Sequence, residues 1–252
     1  MTSILKAVIL AGGSGARMSP ETKSVPKPML PVFADGCLKP IIQVNFEMLF
    51  KSGIRNFVIV IGKNDIIRKH FAIDKIFQEQ VEAKGNKKLS SQLQSFYSMV
   101  RASNIRFATQ VGRGTGDTLL KIHGLLGDDF VIAASDSLID GLPKLRSNTV
   151  LVIKTNDPSR FSTVKVVDGT IKKIGVGSKK QIGAYGLLPY MRFDRSIIEA
   201  LHTTKPRSDG LHIHDAISTL IKKKKVHVVE VNEYHNLNDA ESYMKYLTRA
   251  SL

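Results

Sequence analysis

The sequence has a single cysteine, no tryptophan and no long apolar run. Cys37 stands alone among 252 residues, which excludes an internal disulfide and favours the reducing environment of the cytoplasm. No stretch reaches the roughly 18 consecutive apolar residues of a membrane-spanning helix, so we expect no membrane partner. The apolar stretch 7–11 is too short for a secretory signal and ends at two glycines. These absences predict a cytoplasmic protein.

Acidic residues are scarce relative to basic ones. The chain carries 37 lysines and arginines against 22 aspartates and glutamates, a formal net charge of +15. Such a surplus favours an anionic partner, which can be a nucleic acid, a lipid surface or small phosphates. Its densest part, the four lysines at 222–225, follows a predicted helix whose dipole they complement. Because this run lacks the aromatic or arginine-rich interleaving of nucleic-acid patches, we expect no nucleic-acid partner.

Apolar stretches recur at the spacing of a βαβ fold. Buried strands are predicted at 7–11, 56–61, 105–110 and 130–134, with helices at 40–52 and 117–126. Near-continuous runs of β-branched residues are typical of parallel strands that are covered on both faces. The predicted fold class is therefore α/β, with a doubly wound, mostly parallel, Rossmann-like sheet.

One domain is predicted over residues 1–252, and it has two halves. The first half, 1–147, contains a polar helical excursion at about 66–102 that interrupts the strand rhythm. The second half, 148–252, begins with short strands, and its pattern predicts a smaller antiparallel sub-domain. The elements predicted in this half are strands at 150–154, 163–167 and 171–174, a helix at 215–224, a strand at 226–231 and a helix at 240–250.

A glycine-rich turn follows the first strand. Its residues are Leu10-Ala11-Gly12-Gly13-Ser14-Gly15-Ala16-Arg17. Glycines after a buried strand allow backbone N–H groups to approach phosphate oxygens. A dinucleotide fingerprint would need glycine at position 18, which is Met18, and the lysine of a P-loop and the last glycine of a hydrolase elbow are also missing. The turn predicts a phosphate site of another kind, and a turn without a ligand is the alternative.

Prolines stiffen the loop that follows this turn. They stand at positions 20, 26, 28 and 31 and hold Arg17 and Lys27 on an ordered excursion. A guanidinium fork and an ammonium point charge beside a glycine turn suit a triphosphate. A solvated basic loop is the alternative.

The turn and the loop together resemble the signature of sugar-1-phosphate nucleotidyltransferases. The segment 20–31 reads Pro-Glu-Thr-Lys-Ser-Val-Pro-Lys-Pro-Met-Leu-Pro, and its Thr-Lys-Ser-x-Pro-Lys part is most similar to bacterial-type UTP–glucose-1-phosphate uridylyltransferases. The resemblance covers most of the chain, and the excursion 66–102 resembles the helical insert of that branch. It implies a nucleotide-diphospho-sugar transferase-like fold in which the antiparallel sub-domain binds the sugar, and a protein that forms homo-oligomers.

The reaction that the resemblance implies joins two small-molecule substrates, UTP and glucose 1-phosphate, into UDP-glucose and pyrophosphate. Arg17 would bind the β- and γ-phosphates, and Lys27 would neutralise the α-phosphoryl oxygens. Gln110 and the backbone of Gly114 would read the base. The nucleotide-binding residues would be Leu10, Ala11, Gly12, Gly13, Ser14, Gly15, Ala16, Gln110, Gly114, Thr115 and Ser135.

Magnesium is the cofactor that the resemblance implies. Asp136 follows the apolar run 130–134, at the carboxyl edge of the predicted sheet, and is the expected magnesium ligand. The family's second metal position falls on Asn236, where an amide stands in place of a carboxylate and makes a poorer ligand for a hard cation. A turn-capping role beside Ser135 is the alternative for Asp136.

The acceptor half departs from the family pattern. Gly183-Ala184-Tyr185 resembles a Gly-Arg-Tyr strand without its arginine, and the family's Glu-Lys-Pro element is not visible. Gly183, together with Lys179 or Lys180, would bind the sugar phosphate. These departures favour two alternatives: a catalytically weak, regulatory homologue that binds a nucleotide or sugar nucleotide, and a transferase that uses another sugar 1-phosphate or dTTP.

His212, His214 and Asp215 form a cluster at a predicted helix start. A metal site is one interpretation. Because side chains two residues apart point in different directions on a helix, we instead predict a helix cap at the surface.

Overall fold

The main sheet has nine strands and is built from two unlike halves. The computed structural model of the chain describes residues 5–13, 15–19, 21–175 and 182–249. Within these residues the strands are β1 (Lys6–Ala11), β2 (Pro31–Ala34), β3 (Cys37–Pro40), β4 (Asn56–Ile61), β5 (Asn104–Thr109), β6 (Asp129–Ala134), β7 (Ser137–Ile139), β8 (Thr149–Lys154), β9 (Thr163–Val167), β10 (Thr170–Gly175), β11 (Tyr185–Asp194), β12 (His227–Glu230) and β13 (Tyr234–Asn236).

Helices cover both faces of the sheet. In the same ranges they are α1 (Glu21–Ser24), α2 (Ile41–Lys51), α3 (Ile66–His70), α4 (Lys75–Ala83), α5 (Lys87–Arg101), α6 (Thr115–Leu126), α7 (Ser196–Thr203), α8 (Ile213–Leu220) and α9 (Ala240–Arg249). The excursion at 66–102 thus consists of α3, α4 and α5. No helix in the described ranges combines the length and apolar character that crossing a membrane requires.

The first half of the sheet is parallel, in the order β5-β4-β1-β6. Alternate residues of β1 enter opposite cores because successive strand side chains point to opposite faces. Val8 belongs to the core that contains Leu119 of α6, and Ile9 belongs to the core that contains Phe46 of α2. Because β1 and β6 are parallel, Ala11 and Ser135 end their strands at the same sheet edge.

The second half of the sheet is mixed rather than parallel. Strand β11 runs antiparallel to β6, β8 and β9, whereas β12 runs parallel to β8. The strands β11-β8-β12-β10-β9 close into a barrel-like ring through the β11–β9 pairing. One cause of the antiparallel pairing is the tight turn at Asp168 and Gly169, whose φ values are 49° and 65°. This turn makes β9 and β10 an antiparallel hairpin. The prediction of a mostly parallel, doubly wound sheet is therefore not confirmed for the sheet as a whole.

The structure contains two short antiparallel strand pairs that the sequence patterns do not predict. The proline-rich loop continues into the hairpin of β2 and β3, whose turn places Asp35 and Gly36 at φ values of 50° and 74°. Strand β13 pairs with β7, and Asn236 is the register partner of Ser137. The second pairing places the segment after β13 beside the end of β6.

Candidate functional site

A cavity of about 510 Å³ opens at the carboxyl ends of β1 and β6. This sheet edge is where open α/β sheets bind ligands. The cavity brings together most of the predicted site residues that lie in the described ranges: Leu10, Gly12, Gly13, Gly15, Ala16, Arg17, Lys27, Gln110, Thr115, Ser135 and Asp136. Ser14, Lys179 and Lys180 lie outside the described residues.

Two glycines of the turn, Gly12 and Gly15, are required by its geometry. A Cβ on Gly12 would lie 2.6 Å from the Cβ of Gln110, so a side chain there would displace Gln110 from the cavity wall. Gly15 adopts φ +66°, a left-handed conformation that favours glycine, and leads into the short 3₁₀ turn that contains Arg17. The hydroxyl of Thr22 donates to the Gly15 carbonyl oxygen at 2.8 Å. The turn is therefore fixed against the loop that follows it.

Lys27 is buried between two oxygen acceptors. Its Nζ donates to Oδ2 of Asp136 at 3.0 Å and to Oδ1 of Asn238 at 2.5 Å. The residue is only 8% exposed, and this burial lowers the pKa of Lys27, an effect that the charge of Asp136 opposes and that of Arg17 reinforces. The ammonium is thus held at the centre of the cavity by groups that a bound anion could replace.

The end of β6 is tied to the end of β1 beneath this ion pair. The backbone N–H and the hydroxyl of Ser135 both donate to the Leu10 carbonyl oxygen, at 3.2 and 2.8 Å. Ser135 is 2% exposed, whereas the side chain of the next residue, Asp136, keeps 35% of its surface accessible. The hydrogen bonds between the two strand ends therefore fix the backbone from which the Asp136 carboxylate faces the cavity.

A buried network supports the segment after Asp136. The hydroxyl of Tyr190 lies 2.7 Å from both Oδ1 of Asn45 and the carbonyl oxygen of Ser137. The amide of Asn45 donates to the same Ser137 carbonyl at 3.0 Å. Burial raises the pKa of Tyr190 far above its ordinary value, so this hydroxyl stays protonated. The network fixes Ser137, and through it the backbone that carries Asp136.

Asn236 occupies a different position from the one that the family resemblance implies. It does not line the cavity, and its Oδ1 instead accepts a hydrogen bond from the backbone N–H of Asn238 at 3.1 Å. Asn238 is the residue that lines the cavity and touches Lys27. Asn236 as a metal ligand stays a prediction; in this structure Asn236 shapes a turn, and Asn238 supplies the amide oxygen beside Lys27.

Gly114 does not line the cavity either, because its surroundings are backbone. A Cβ on it would lie 2.5 Å from the carbonyl carbon of Leu211. Its N–H donates to Oδ2 of Asp117 at 2.9 Å, and that carboxylate also accepts from the N–H of Leu211 at 3.2 Å. Gly114 therefore serves as a packing joint between the start of α6 and the segment before α8, and its N–H is not free to read a base.

Two further predicted residues, Ala11 and Gly183, lie outside the cavity wall. Ala11 is 3% exposed and packs in the core beneath the sheet edge. A Cβ on Gly183 would lie 2.7 Å from the carbonyl carbon of Val164, so glycine is required there for a close crossing of backbones. The contact of Gly183 with a sugar phosphate stays a prediction.

Sequence reasoning missed the wall opposite the glycine turn. The residues that it missed are Arg113, Thr118, Pro189, Met191, His212, Ile213, His214 and Asn238. They come from four separate segments and share no motif. The histidine pair was the one available signal, and its interpretation as a surface cap is partly wrong. His212 does occupy the cap position of α8, but both histidines line the cavity.

His214 is a neutral hydrogen-bonding group in this wall. Its Nδ1 lies 2.9 Å from the hydroxyl of Ser162. Burial, together with a smaller effect of the neighbouring His212, lowers the pKa of His214 to about 4. The ring can therefore exchange neutral hydrogen bonds with a ligand without adding charge.

The described residues fit a magnesium ion only if the ligand supplies some of its coordination. No group of three His, Cys, Asp or Glu side chains in these ranges could hold a metal. Asp136 is the single carboxylate among the described residues of the cavity wall. One carboxylate together with substrate phosphate oxygens and water is a common environment for Mg²⁺. The cavity thus suits a metal that arrives with a polyphosphate.

Comparison with known proteins identifies consistent relatives. Residues 6–174 match the family model described as nucleotidyl transferase. A UTP–glucose-1-phosphate uridylyltransferase of Streptococcus pyogenes is 30% identical over 281 residues, which cover 97% of this chain and 88% of the relative.

Solved structures show the same fold. A UDP-glucose pyrophosphorylase complexed with UDP-glucose superposes with a TM-score of 0.83 at 20% identity, over 98% of each chain. A UTP-bound UGPase from Acinetobacter baumannii gives 0.81 at 17% identity, over 98% of this chain and 93% of the other.

Proposed function

Because the chain belongs to the nucleotidyl transferase family, we propose that it forms UDP-glucose and pyrophosphate from UTP and glucose 1-phosphate. The names of its relatives give the substrates. The observation that carries the proposal is that the glycine turn, Arg17, Lys27 and Asp136 line one cavity at the ligand-binding edge of the sheet.

The nucleotide would lie along the glycine turn. Backbone N–H groups there, in a turn held by Thr22, would face the phosphates. Arg17 is exposed at the end of this turn, where its guanidinium would bind the β- and γ-phosphates in bidentate fashion. Gln110, which lies against Gly12, would contact the base.

Lys27 and Asp136 would act at the reacting phosphorus. A phosphate oxygen of glucose 1-phosphate attacks the α-phosphorus in line, the new P–O bond forms, and the bond to the pyrophosphate leaving group breaks. Lys27 would release Asp136 and Asn238 and bind the α-phosphoryl oxygens as their charge shifts. Asp136 would hold Mg²⁺, which neutralises phosphate charge and keeps the leaving group oriented.

The acceptor would be held from the opposite wall. His214, fixed by Ser162, would offer a neutral ring to a sugar hydroxyl. Lys179 and Lys180 stay candidates for the sugar phosphate, as the resemblance implies. Another sugar 1-phosphate or dTTP also fits the family, because a glutamine contact reads uracil and thymine alike.

A silent nucleotide-binding homologue is the second candidate, and one observation favours it. Asn236 and Asn238 are amides, so neither of these two positions supplies a carboxylate for a metal. A protein of this kind would bind UTP and release no pyrophosphate.

Measurement of pyrophosphate release separates the two candidates. The protein is incubated with magnesium, each nucleoside triphosphate in turn and a panel of sugar 1-phosphates. Release with UTP and glucose 1-phosphate supports the transferase. Tight UTP binding with no release from any pair supports the silent homologue, and release with another pair reassigns the substrate.

A further inference from the structure

A second cavity, of about 550 Å³, lies where β8 and β12 begin. Strand β8 runs in the same direction as β6, since each is antiparallel to β11. The start of β8 is therefore at the sheet edge opposite the first cavity. The residues that line the second cavity are Lys144, Leu145, Arg146, Ser147, Thr149, Arg192, His227, Val228 and Val229.

Buried polar atoms without partners are concentrated at this second cavity. In the described ranges six side-chain atoms are buried and lack a hydrogen bond, and three of them belong to the consecutive residues Ser147, Asn148 and Thr149. Thr149 is 1% exposed and lines the cavity. Two more belong to Asp215 of α8 and to His212 at its cap position, although Nε2 of His212 lies 3.2 Å from Oδ1 of Asp209. Because such atoms are costly when unpaired, the hydroxyls of Ser147 and Thr149, which both line this cavity, point to a ligand that supplies their partners.

The charge around these hydroxyls is positive. Among the residues that the structure describes, no acidic side chain lines the second cavity. Arg192 is neutralised by Asp129, whose Oδ2 lies 2.7 Å from its Nη2. Lys144 and Arg146 have no carboxylate partner among the described residues, so their charge is available to an anion.

His227 adds a donor to the same wall. Nη2 of Arg146 lies 2.6 Å from Nδ1 of His227. Since a guanidinium can only donate, Nδ1 accepts and the ring proton is on Nε2. Burial lowers the pKa of His227, and the charges of Arg146 and Lys225 lower it further. The charges that act on His227 are thus the cations Arg146 and Lys225, with no opposing anion. A bound phosphate would supply that anion.

We propose that this second cavity binds a phosphate-bearing small molecule. Arg146 and Lys144 bind the phosphate oxygens, and the hydroxyls of Ser147 and Thr149 donate to them from the floor after small rotations. A phosphate accepts more hydrogen bonds than a carboxylate, which suits this number of converging donors. The rest of the cavity is lined by the apolar side chains of Leu145, Val228 and Val229, which would contact the organic group of the ligand.

Histidine NMR of the full chain tests the proposal at the site itself. The protein is labelled at histidine, and the His227 resonance is assigned by its loss in His227→Gln. Inorganic phosphate and a sugar phosphate monoester are each titrated in. We expect a saturable shift of the His227 signal and a rise in its pKa of about 0.5 or more, because the anion stabilises the charged ring. Tighter binding of the ester than of phosphate identifies an organic ligand.

Two variants, each of which removes one arginine, compare the second cavity with a distant part of the surface. Arg146→Gln is expected to weaken binding about ten-fold. Arg101→Gln is the control, because it removes the same charge at the end of α5, next to β5, which is five strands away from β8 in the sheet. This variant should leave binding unchanged. Thr149→Val keeps the shape of the side chain, removes the unpaired hydroxyl, and should weaken binding without loss of the fold. The absence of a saturable His227 shift, or equal weakening by both arginine variants, overturns the proposal.

Discussion

Nζ of Lys27 and Oδ2 of Asp136 lie 3.0 Å apart in the wall of the first cavity, although the two residues are 109 positions apart in the sequence. One comes from the proline-rich loop and the other from the end of β6. The ammonium loses its water shell on burial and receives in exchange a carboxylate and an amide oxygen. A lysine held in this way can move to a phosphate with little further desolvation, which is the property that the proposed reaction requires.

Replacement of Lys27 by alanine should reduce turnover by a factor of about 10² to 10³, because charge that develops on the α-phosphoryl oxygens loses its closest cation. The measurement is the rate of pyrophosphate release from UTP and glucose 1-phosphate. Lys23→Ala is the control, since Lys23 is exposed in α1, four residues before Lys27. A similar loss in both variants would show that the loop as a whole, rather than Lys27, matters.

Magnesium dependence should be carried by Asp136. We expect activity to disappear on chelation, to return with added Mg²⁺, and in Asp136→Asn to require about ten-fold more Mg²⁺, since an amide is a weaker ligand. Asp140→Asn is the control, because Asp140 is exposed and lines a different cavity. If both variants have the wild-type magnesium requirement, Asp136 is not the ligand.

The two asparagines after β13 should respond differently to a new carboxylate. Asn238→Asp places a second carboxylate beside Lys27, so the half-saturating Mg²⁺ concentration should fall about ten-fold. Asn236→Asp keeps an acceptor for the N–H of residue 238 and should change that concentration less than two-fold. The reverse order would restore the assignment that the family resemblance implies.

Stability should decline in mild acid because two histidines are held neutral. Burial lowers the pKa of His70 and of His214 from 6.5 to about 4. The unfolded chain therefore binds protons below about pH 6.5, whereas the folded chain does not until about pH 4, so the free energy of unfolding falls across this interval and is fully present above it.

Urea titrations at several pH values measure this effect. His70→Gln and His214→Gln should each flatten the decline between about pH 6.5 and 4. His123→Gln, at an exposed position, should leave the profile unchanged. A profile that is identical in all three variants and the wild type would contradict the expectation.

Loss of the buried hydroxyl in Tyr190→Phe should cost about 1–3 kcal/mol of unfolding free energy, because Oδ1 of Asn45 loses its donor. Activity should also fall, since Ser137 supports the backbone next to Asp136. Tyr185→Phe on the same strand is the control at a half-buried position. Denaturant unfolding and pyrophosphate release measure the two effects, and equal effects of both variants would argue against a special role of this network.

Sequence patterns predicted the buried parallel strands closely, because strands covered on both faces consist of near-continuous apolar residues. The prediction for 56–61 coincides with β4, and that for 130–134 differs from β6 by one residue. The long strand β11 was harder to predict. Pro189 lies in its middle, where a proline argues against a central strand, and the structure accommodates it at a register shift between Leu187 and Met191.

The site could be predicted only where its residues belong to a motif or follow a recognisable strand. The glycine turn and Lys27 lie within one segment, and Asp136 follows a recognisable strand. Asn238 and His212 reach the same cavity through the β13–β7 pairing and the joint at Gly114, which depend on contacts distant in sequence. No local pattern encodes such contacts, so this wall of the cavity appeared only with the structure.

The contact between Lys27 and Asn238 spans 211 residues. During synthesis the glycine turn and Lys27 leave the ribosome early, and the strand order β5-β4-β1-β6 can assemble while the remainder is still being added. Asn238 emerges last of all the residues that line the cavity. In a nascent chain that has not yet reached Asn238, the Nζ of Lys27 lacks this amide acceptor, so the cavity wall is complete only after the segment that follows β13 has been made.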